Sequence, residues 1–337
     1  MTDDLVIRRR TLGHLEYIGR GGTATVYGLP DLTAETLGVD APQGLAYKEY
    51  TARIREAAGP GLAPGLRAMV AVRGRLDPKQ RSRWDQRVIW PVRLVVGDDD
   101  TANGIVMPLL PERFFARIML RAGPQSMPRA VEKLFGDVET MRRIGIAPVS
   151  QEVRVELVAQ IAYTYALMHF GNVAVGDISG NNLVYDPDPG RPAVMAFDAD
   201  SARLIGSISP FGSQPHTPRW VPPEGALVAQ SRTTDVYKFA LLAVRILDYG
   251  IGRAVNHDPV RAVPVLRRMR GPRAGQLLLA SLSDRPDERP TMRDWHEALR
   301  HESGRDDGPA PTRRVPRAAP PPPRDGDRLV DGMVVGD

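Results

Sequence analysis

Between two apolar runs, "VAV" and "LVYD", the chain places Gly176-Asp177-Ile178-Ser179-Gly180-Asn181-Asn182. A plain turn uses such small polar residues. So does a phosphoryl-transfer site, in which a carboxylate accepts the proton of the attacking hydroxyl and an amide five residues later binds a divalent cation. Asp177 and Asn182 have that D-x-x-x-x-N spacing. Sixteen residues beyond Asn182, "MAFDADSARL" delivers Asp198 from an apolar strand to a turn. A carboxylate there can hold magnesium against the phosphates of a nucleotide. Earlier, "IGRGGTATVY" sets Gly19, Gly21 and Gly22 before Thr23, Ala24, Thr25, Val26 and Tyr27. Glycine lets backbone pass close to a phosphate. These glycines join strand to strand, which disfavours the phosphate loops that join a strand to a helix. Lys48 follows in "LAYKEY", one of only four lysines in the chain. Each feature alone reads as a turn, a hairpin or an edge residue. In this order, the glycine loop, Lys48, Asp177, Asn182 and Asp198 make the parts of a phosphoryl-transfer site.

The elements that must carry these residues are legible. "HLEYIG" (14–19) and "TATVYGL" (23–29) read as a hairpin, and "GLAYKEY" (44–50) as a third strand. A helical segment is expected near 64–75, and a second hairpin over 92–110, "VRLVVGDDDTANGIVMPLL". The first 107 residues or so form a small, mostly β lobe with one or two helices. Beyond them the pattern is helical. "SQEVRVELVAQIAYTYALMHF" (150–170) opens on a serine cap and carries Leu157, Val158, Ile161, Ala162, Tyr165 and Met168 on one stripe. "TTDVYKFALLAVRIL" (233–247) is apolar all round and reads as buried. "TMRDWHEALR" (291–300) closes the folded part. The segment 111–150 is expected to add helix. From 303 the chain is Pro-rich with mixed charge, the composition of a disordered tail with polyproline II character. Its "PPPPR" offers a ligand to an aromatic groove.

Bulk properties bound the answer. The chain has 337 residues, 42% hydrophobic and 25% charged, enough for two packed lobes. Cysteine is absent, so disulfides and thiolate metal sites are excluded, and the six histidines lack metal-ligand spacing. "MTDDLVIRRR" is not a secretory signal, and no run reaches membrane-spanning length. A cytoplasmic protein without a membrane partner is expected. The net charge is +5, but arginine is scattered rather than striped, which argues against nucleic acid as a partner.

From about residue 12 to 300 the chain resembles a bacterial protein kinase of the eukaryotic-like Ser/Thr type. "TPRWVPPE" (217–224) is similar to that family's segment ending in Ala-Pro-Glu, with Pro222 in place of alanine. "TDVYKFALL" resembles its buried helix opening on Asp235, and "DRPDERPT" its final landmark, with Arg289 set to pair with Glu224. The resemblance implies an α+β, bilobal fold: an N-terminal extension (1–11), an antiparallel-sheet lobe (12–107), a hinge (108–111) and a mainly helical lobe (112–302). It implies ATP and Mg²⁺ as cofactors and a protein substrate. Asp177 becomes the base and Lys48 the phosphate-holding lysine. Asn182 and Asp198 become the metal ligands. Gly19, Arg20, Gly21, Gly22, Thr23, Ala24, Val26, Ala46, Lys48, Met107, Pro108, Leu110 and Leu183 line the nucleotide. Met107 is the gatekeeper. Pro108 would offer its carbonyl and Leu110 its N–H to adenine, a role proline permits because it lacks only an N–H. Thr217 is expected beside Asp177.

Several residues depart from the pattern. Val175 and Gly176 stand where the family has His-Arg, Ser179 stands where it has lysine, and Ala24 replaces the third glycine. Without that arginine, activity should depend less on phosphorylation of the activation loop. Ser207, Ser209, Ser213 and Thr312 are unranked phosphosites. No glutamate occurs between Glu56 and Glu112 to pair with Lys48 from a helix. Glu56, Asp77 and Asp85 are the available substitutes. Asp200 reads as a turn or cap residue, with a share of the magnesium as its alternative. His169 reads as a packed, hydrogen-bonded histidine, and Trp90 and Trp220 as packing residues. The absent glutamate supports a second reading, a nucleotide-binding pseudokinase. A third, a small-molecule phosphotransferase, shares the "GD…N" and D-x-D signals but lacks the landmarks at 217–224 and Arg289.

Overall fold

The computed structural model describes residues 4–207, 209–212 and 216–300. Ser213, Thr312 and the 303–337 segment lie outside the described residues. The described chain is mixed α+β, with a sheet-rich N-terminal region and a helical C-terminal part, and it is compatible with a bilobal shape.

Six strands build the first region: β1 (Val6–Arg8), β2 (Glu16–Arg20), β3 (Ala24–Gly28), β4 (Leu45–Tyr50), β5 (Arg93–Val96) and β6 (Ala102–Pro108). Their order is β1-β5-β6-β4-β3-β2, so β4, which carries Lys48, lies inside the sheet. Both expected hairpins form, β2–β3 and β5–β6, each with one register shift. Of the expected N-terminal extension 1–11, the described residues 4–11 do not stand outside this region. Val6–Arg8 pair with Leu94–Val96 in parallel, so the sheet is not wholly antiparallel. The cause is the β-branched pair Val6-Ile7, which finds an open edge of β5 to cover. Three helices follow β4 where one or two were expected: α1 (Ala52–Ala58), α2 (Leu62–Gly74) and α3 (Pro78–Asp85). Asp77 starts α3 with a reciprocal cap, accepting from the Gln80 N–H at 2.8 Å.

The 111–150 segment holds a hairpin, β7 (Phe115–Leu120) and β8 (Gly123–Pro128), ahead of the short α4 (Val138–Arg143). Helix was expected there. Gly123 at φ 104° turns the chain, and Pro124 and Pro128 deny β8 a helical ladder. The remaining strands are short: β9 (Val173–Ala174), β10 (Leu183–Asp186), β11 (Ala193–Ala196) and β12 (Arg203–Leu204), paired β10–β11 and β9–β12.

The helical part is organised on α5 (Gln151–Phe170) and α6 (Arg232–Leu247), with α7 (Ala262–Arg270), α8 (Pro272–Ser281) and α9 (Met292–Leu299) packed around them. Ser150 caps α5 by accepting from the Val153 N–H. Its stripe, Leu157 through Met168, is sealed in one core with α6 and Trp295 of α9. Trp90 and Trp220 are in that same core, and the Trp90 indole N–H donates to the Met69 carbonyl at 2.9 Å. Glu224 and Arg289, 65 residues apart, form a two-pronged pair at 2.8 Å on both oxygens. Burial alone would raise the Glu224 carboxyl, but the Arg289 hydrogen bonds and charge hold it below its ordinary value. Among the described residues no helix is long and apolar enough to cross a membrane.

Gly104 on β6 decides how closely β4 can lie. A Cβ at that position would stand 2.1 Å from the Lys48 carbonyl oxygen. Gly104→Ala should therefore destabilise the fold by about 1–3 kcal/mol, the range for overpacking. The check is a chemical-denaturation curve. Unchanged stability would mean the strands part freely here.

Candidate functional site

β4 presents Lys48 and Tyr50 on one face, two residues apart. Lys48 is 6% exposed. Its ammonium donates to Asp198 and to Asp200, the latter at 2.7 Å. The second oxygen of Asp200 accepts the Tyr50 hydroxyl at 2.6 Å. Burial alone would push the Lys48 ammonium down, but the carboxylates of Asp200 and Asp198 outweigh it and raise its pKa. Asp200 is thus neither turn filler nor cap: it is a buried ion-pair partner, 4% exposed. The sequence hint was the D-x-D pattern, whose second carboxylate Ser201 made look like a turn residue. Asp198 is different. Its side chain is half exposed and its backbone is left-handed at φ 58°, a conformation that carries strain in a non-glycine residue.

The substitutes proposed for a helix glutamate do not reach Lys48. Asp77 caps α3, and Asp85 holds Arg73 through two bonds of 2.6 and 2.7 Å. Glu56 lines a surface depression with Arg55 and Asp100.

Asp177 and Asn182 lie together in the loop between β9 and β10. The Asn182 amide donates to the Asp177 carbonyl at 2.7 Å and to its carboxylate at 3.1 Å. Thr217 donates both its N–H (3.1 Å) and its hydroxyl (2.7 Å) to the other carboxylate oxygen. The β10–β11 ladder pairs Leu183 with Ala196, and the Phe197 N–H donates to the Asn182 carbonyl at 3.1 Å. Asn182 and Asp198 therefore leave the same end of one hairpin. A continuous chain of contacts runs from Asp177 through Asn182 and Phe197 to Asp198 and Lys48.

Behind this loop, α6 supplies a buried support that the sequence did not single out beyond its opening aspartate. Asp235 accepts the N–H groups of Val175 (2.7 Å) and Gly176 (2.9 Å) and faces His169 Nε2 at 3.0 Å. His169 is the packed histidine expected. Gly176 takes φ 80°, a conformation glycine adopts without penalty. Lys238, fully buried, donates to the Gly176 carbonyl (2.7 Å) and to Gln230 (2.6 Å).

The glycine turn joins β2 to β3, closed by the Gly21 N–H donating to the Ala24 carbonyl at 2.8 Å. Gly19 pairs with Val26, and Arg20 with Thr25. The Thr23 carbonyl accepts the Thr51 N–H. Val26 in turn pairs with Lys48, which ties the turn to the charged cluster. Ala24 does not face outward: its methyl is in the core with Tyr50, Leu62 and Leu66. A Cβ added at Gly19 or Gly22 would meet nothing within 4 Å. None of the three glycines takes a positive φ. The fold itself does not require them.

Ala46 pairs with Met107, and Leu45 with Pro108. The Leu109 N–H donates to the Gly44 carbonyl and its own carbonyl accepts from Gln43, at 3.0 and 2.5 Å. Polar groups of successive extended residues point to opposite sides. The Pro108 carbonyl and the Leu110 N–H therefore point away from Gln43–Gly44. Met107 and Leu110 pack around Ile89, Phe114, Val184 and Met195, and Leu183 is fully buried. Of the named phosphosites that are described, Ser207 is exposed and Ser209 is buried.

Chemically, the cluster offers a carboxylate held by two neighbours, a buried ammonium, and one amide plus one half-exposed carboxylate at a hairpin end. Among the described residues no group of three His, Cys, Asp or Glu forms a ready metal cage. A hard divalent cation held by Asn182 and Asp198 would draw its other oxygens from water and phosphate, the usual habit of magnesium.

Burial pushes Lys238 down to about 8, against the opposing charges of Asp235 and Asp177. The unfolded chain then binds more protons than the folded one between that value and the ordinary 10.5. Stability must rise with pH across this window. The full span is worth roughly 3 kcal/mol. Wild type should gain on Lys238→Met as pH goes from 7.5 to 10.5. Paired thermal melts read it, and a pH-independent difference would refute it.

No protein-family model matches the chain, and no curated protein matches it.

Proposed function

We propose that the chain is an ATP-dependent Ser/Thr protein kinase with a bilobal kinase-like fold and a hinge at 108–111. One observation carries the reading. Lys48, Asp177, Asn182 and Asp198, selected by residue type and spacing over 150 positions, lie on one continuous run of contacts. Loop chemistry alone has no reason to bring a buried lysine to the carboxylate of a distant turn.

In this reading Asp177 accepts the proton of the substrate hydroxyl. Thr217 and Asn182 hold its two oxygens, so the carboxylate meets the substrate already oriented. Lys48 holds nucleotide phosphate oxygens. Asn182 and Asp198 would hold magnesium, which would supply charge neutralisation at the phosphates. The open glycine turn lets backbone approach the phosphates, and the Pro108 carbonyl and Leu110 N–H accept and donate to the adenine edge. Positioning and charge neutralisation dominate phosphoryl transfer, so these parts suffice without a covalent intermediate. The 217–224 segment, fixed by the Glu224–Arg289 pair beside Asp177, supports a peptide substrate rather than a small alcohol.

The test is transfer of labelled γ-phosphate from Mg-ATP to the protein itself and to a basic protein substrate. Asp177→Asn should cut the rate by about 10²–10⁴-fold, the share of a general base, and leave nucleotide binding intact. Lys48→Met should lower both. Nucleotide binding without transfer in the wild type would make the chain a pseudokinase. A folded wild type that binds no nucleotide would overturn the kinase reading.

A further inference from the structure

We propose that Asp200 is the positioning residue for Lys48, in the place of the helix glutamate this chain lacks; the inference rests on the kinase reading above. Lys48 sits in a sheet interior, where an ammonium without a partner is costly. It needs a partner that stays when Asp198 turns to a cation. Asp198 is half exposed and close to Asn182, suited to that cation. Asp200 lies inside, with one oxygen on the ammonium and the other on the Tyr50 hydroxyl. Burial first, and then the Asp200 charge, push the Tyr50 phenol well above its ordinary value, so it stays a proton donor. Strand β4 therefore supplies both donors, and Asp200 is clamped against the strand that carries the lysine.

Three other acidic residues are committed elsewhere. Glu49 pairs with Arg9 at 3.3 Å, Asp85 with Arg73, and Asp77 with the start of α3. This has a mechanical consequence. A helix glutamate places the lysine's partner on an element separate from the metal-binding turn. Here the partner stands two residues from Asp198 in the same short 3₁₀ turn. Lysine partner and cation ligand are set by one piece of backbone. Lys48 is held without a helix having to swing into place.

The experiment measures kcat, KM for ATP and the magnesium half-saturation for wild type, Asp200→Asn, Tyr50→Phe, Lys48→Met and the double variant Lys48→Met/Asp200→Asn. Each is used only after a melt shows it folded. Asp200→Asn should lower kcat/KM for ATP by about 10- to 100-fold, the effect of losing one charge-assisted bond. The double variant should be no worse than Lys48→Met alone, since the two residues act as one unit. The magnesium half-saturation of Asp200→Asn should match the wild type. Tyr50→Phe should show a smaller loss in the same parameter. An unaffected Asp200→Asn, multiplying losses in the double variant, or a tenfold rise in magnesium requirement would each overturn the assignment. The last outcome would make Asp200 a metal ligand. Failure of the wild type to bind or turn over Mg-ATP removes the kinase reading and this inference together. Wild-type transfer with Asp200→Asn unimpaired removes this inference alone.

Discussion

A single buried charge constrains much of this molecule. Lys48 lies in β4, flanked in the sheet by Val26 and Ile105. An ammonium in such surroundings must be neutralised by carboxylates or give up its proton. The carboxylates that neutralise it come from residues 198 and 200, on the far side of the chain in sequence. The sheet-rich region and the helical part are thus tied by charge as well as by apolar contact. Removing both carboxylates would leave the ammonium buried and unpaired, and removing Lys48 would leave the buried Asp200 without its cation, the costly way to break such a pair. Gly104 belongs to the same constraint, because the strand bearing Lys48 reaches its place only where the neighbouring strand has no side chain.

The second anchor is the polar underside of the Asp177 loop. Loops seldom sit against a hydrophobic helix, because their backbone groups need partners. Helix α6 is buried over most of its length, yet it presents Asp235 and Lys238 to this loop. The aspartate takes two N–H groups, and the lysine takes a carbonyl. Acid and base from one helix satisfy donors and acceptors from one loop. Precision in Asp177 is inherited from α6, which is itself packed against α5 and α9. The depressed Lys238 is the cost of this arrangement: its backbone acceptor is worth having only at the expense of its own hydration.

What the sequence made legible follows from the range of each interaction. Caps and stripes are local, so Ser150 and the α5 face could be read directly. The Glu224–Arg289 pair is distant but was marked by motif. The members of the charged cluster, Lys48, Asp177, Asn182 and Asp198, stand out by type and spacing. Three things were not legible. The parallel edge strand at Val6–Arg8 is too short to carry a period. The β7–β8 hairpin is hidden in a segment whose alternation is weak, since most of it is uncovered on both faces. Asp200 and Lys238 looked ordinary because their meaning depends on what burial puts opposite them. A carboxylate beside a serine in a turn and a carboxylate on a buried ammonium have the same local sequence.

The glycine turn sharpens the functional argument from the other direction. Glycine costs a folded chain roughly 0.5–1 kcal/mol relative to alanine unless its backbone freedom is used. A structural use would be a positive φ or a contact that forbids a Cβ. Gly19 and Gly22 have neither, and at Gly21 the nearest atom to a Cβ is 3.9 Å away. Ala24, the next position in the pattern, is the one whose side chain the core does claim, and there a methyl is present. The turn is therefore bare where it faces open space and filled where it faces protein. In the proposed reading this bare backbone leaves room for phosphate oxygens, and the strand leaving the turn pairs directly with the one that carries Lys48.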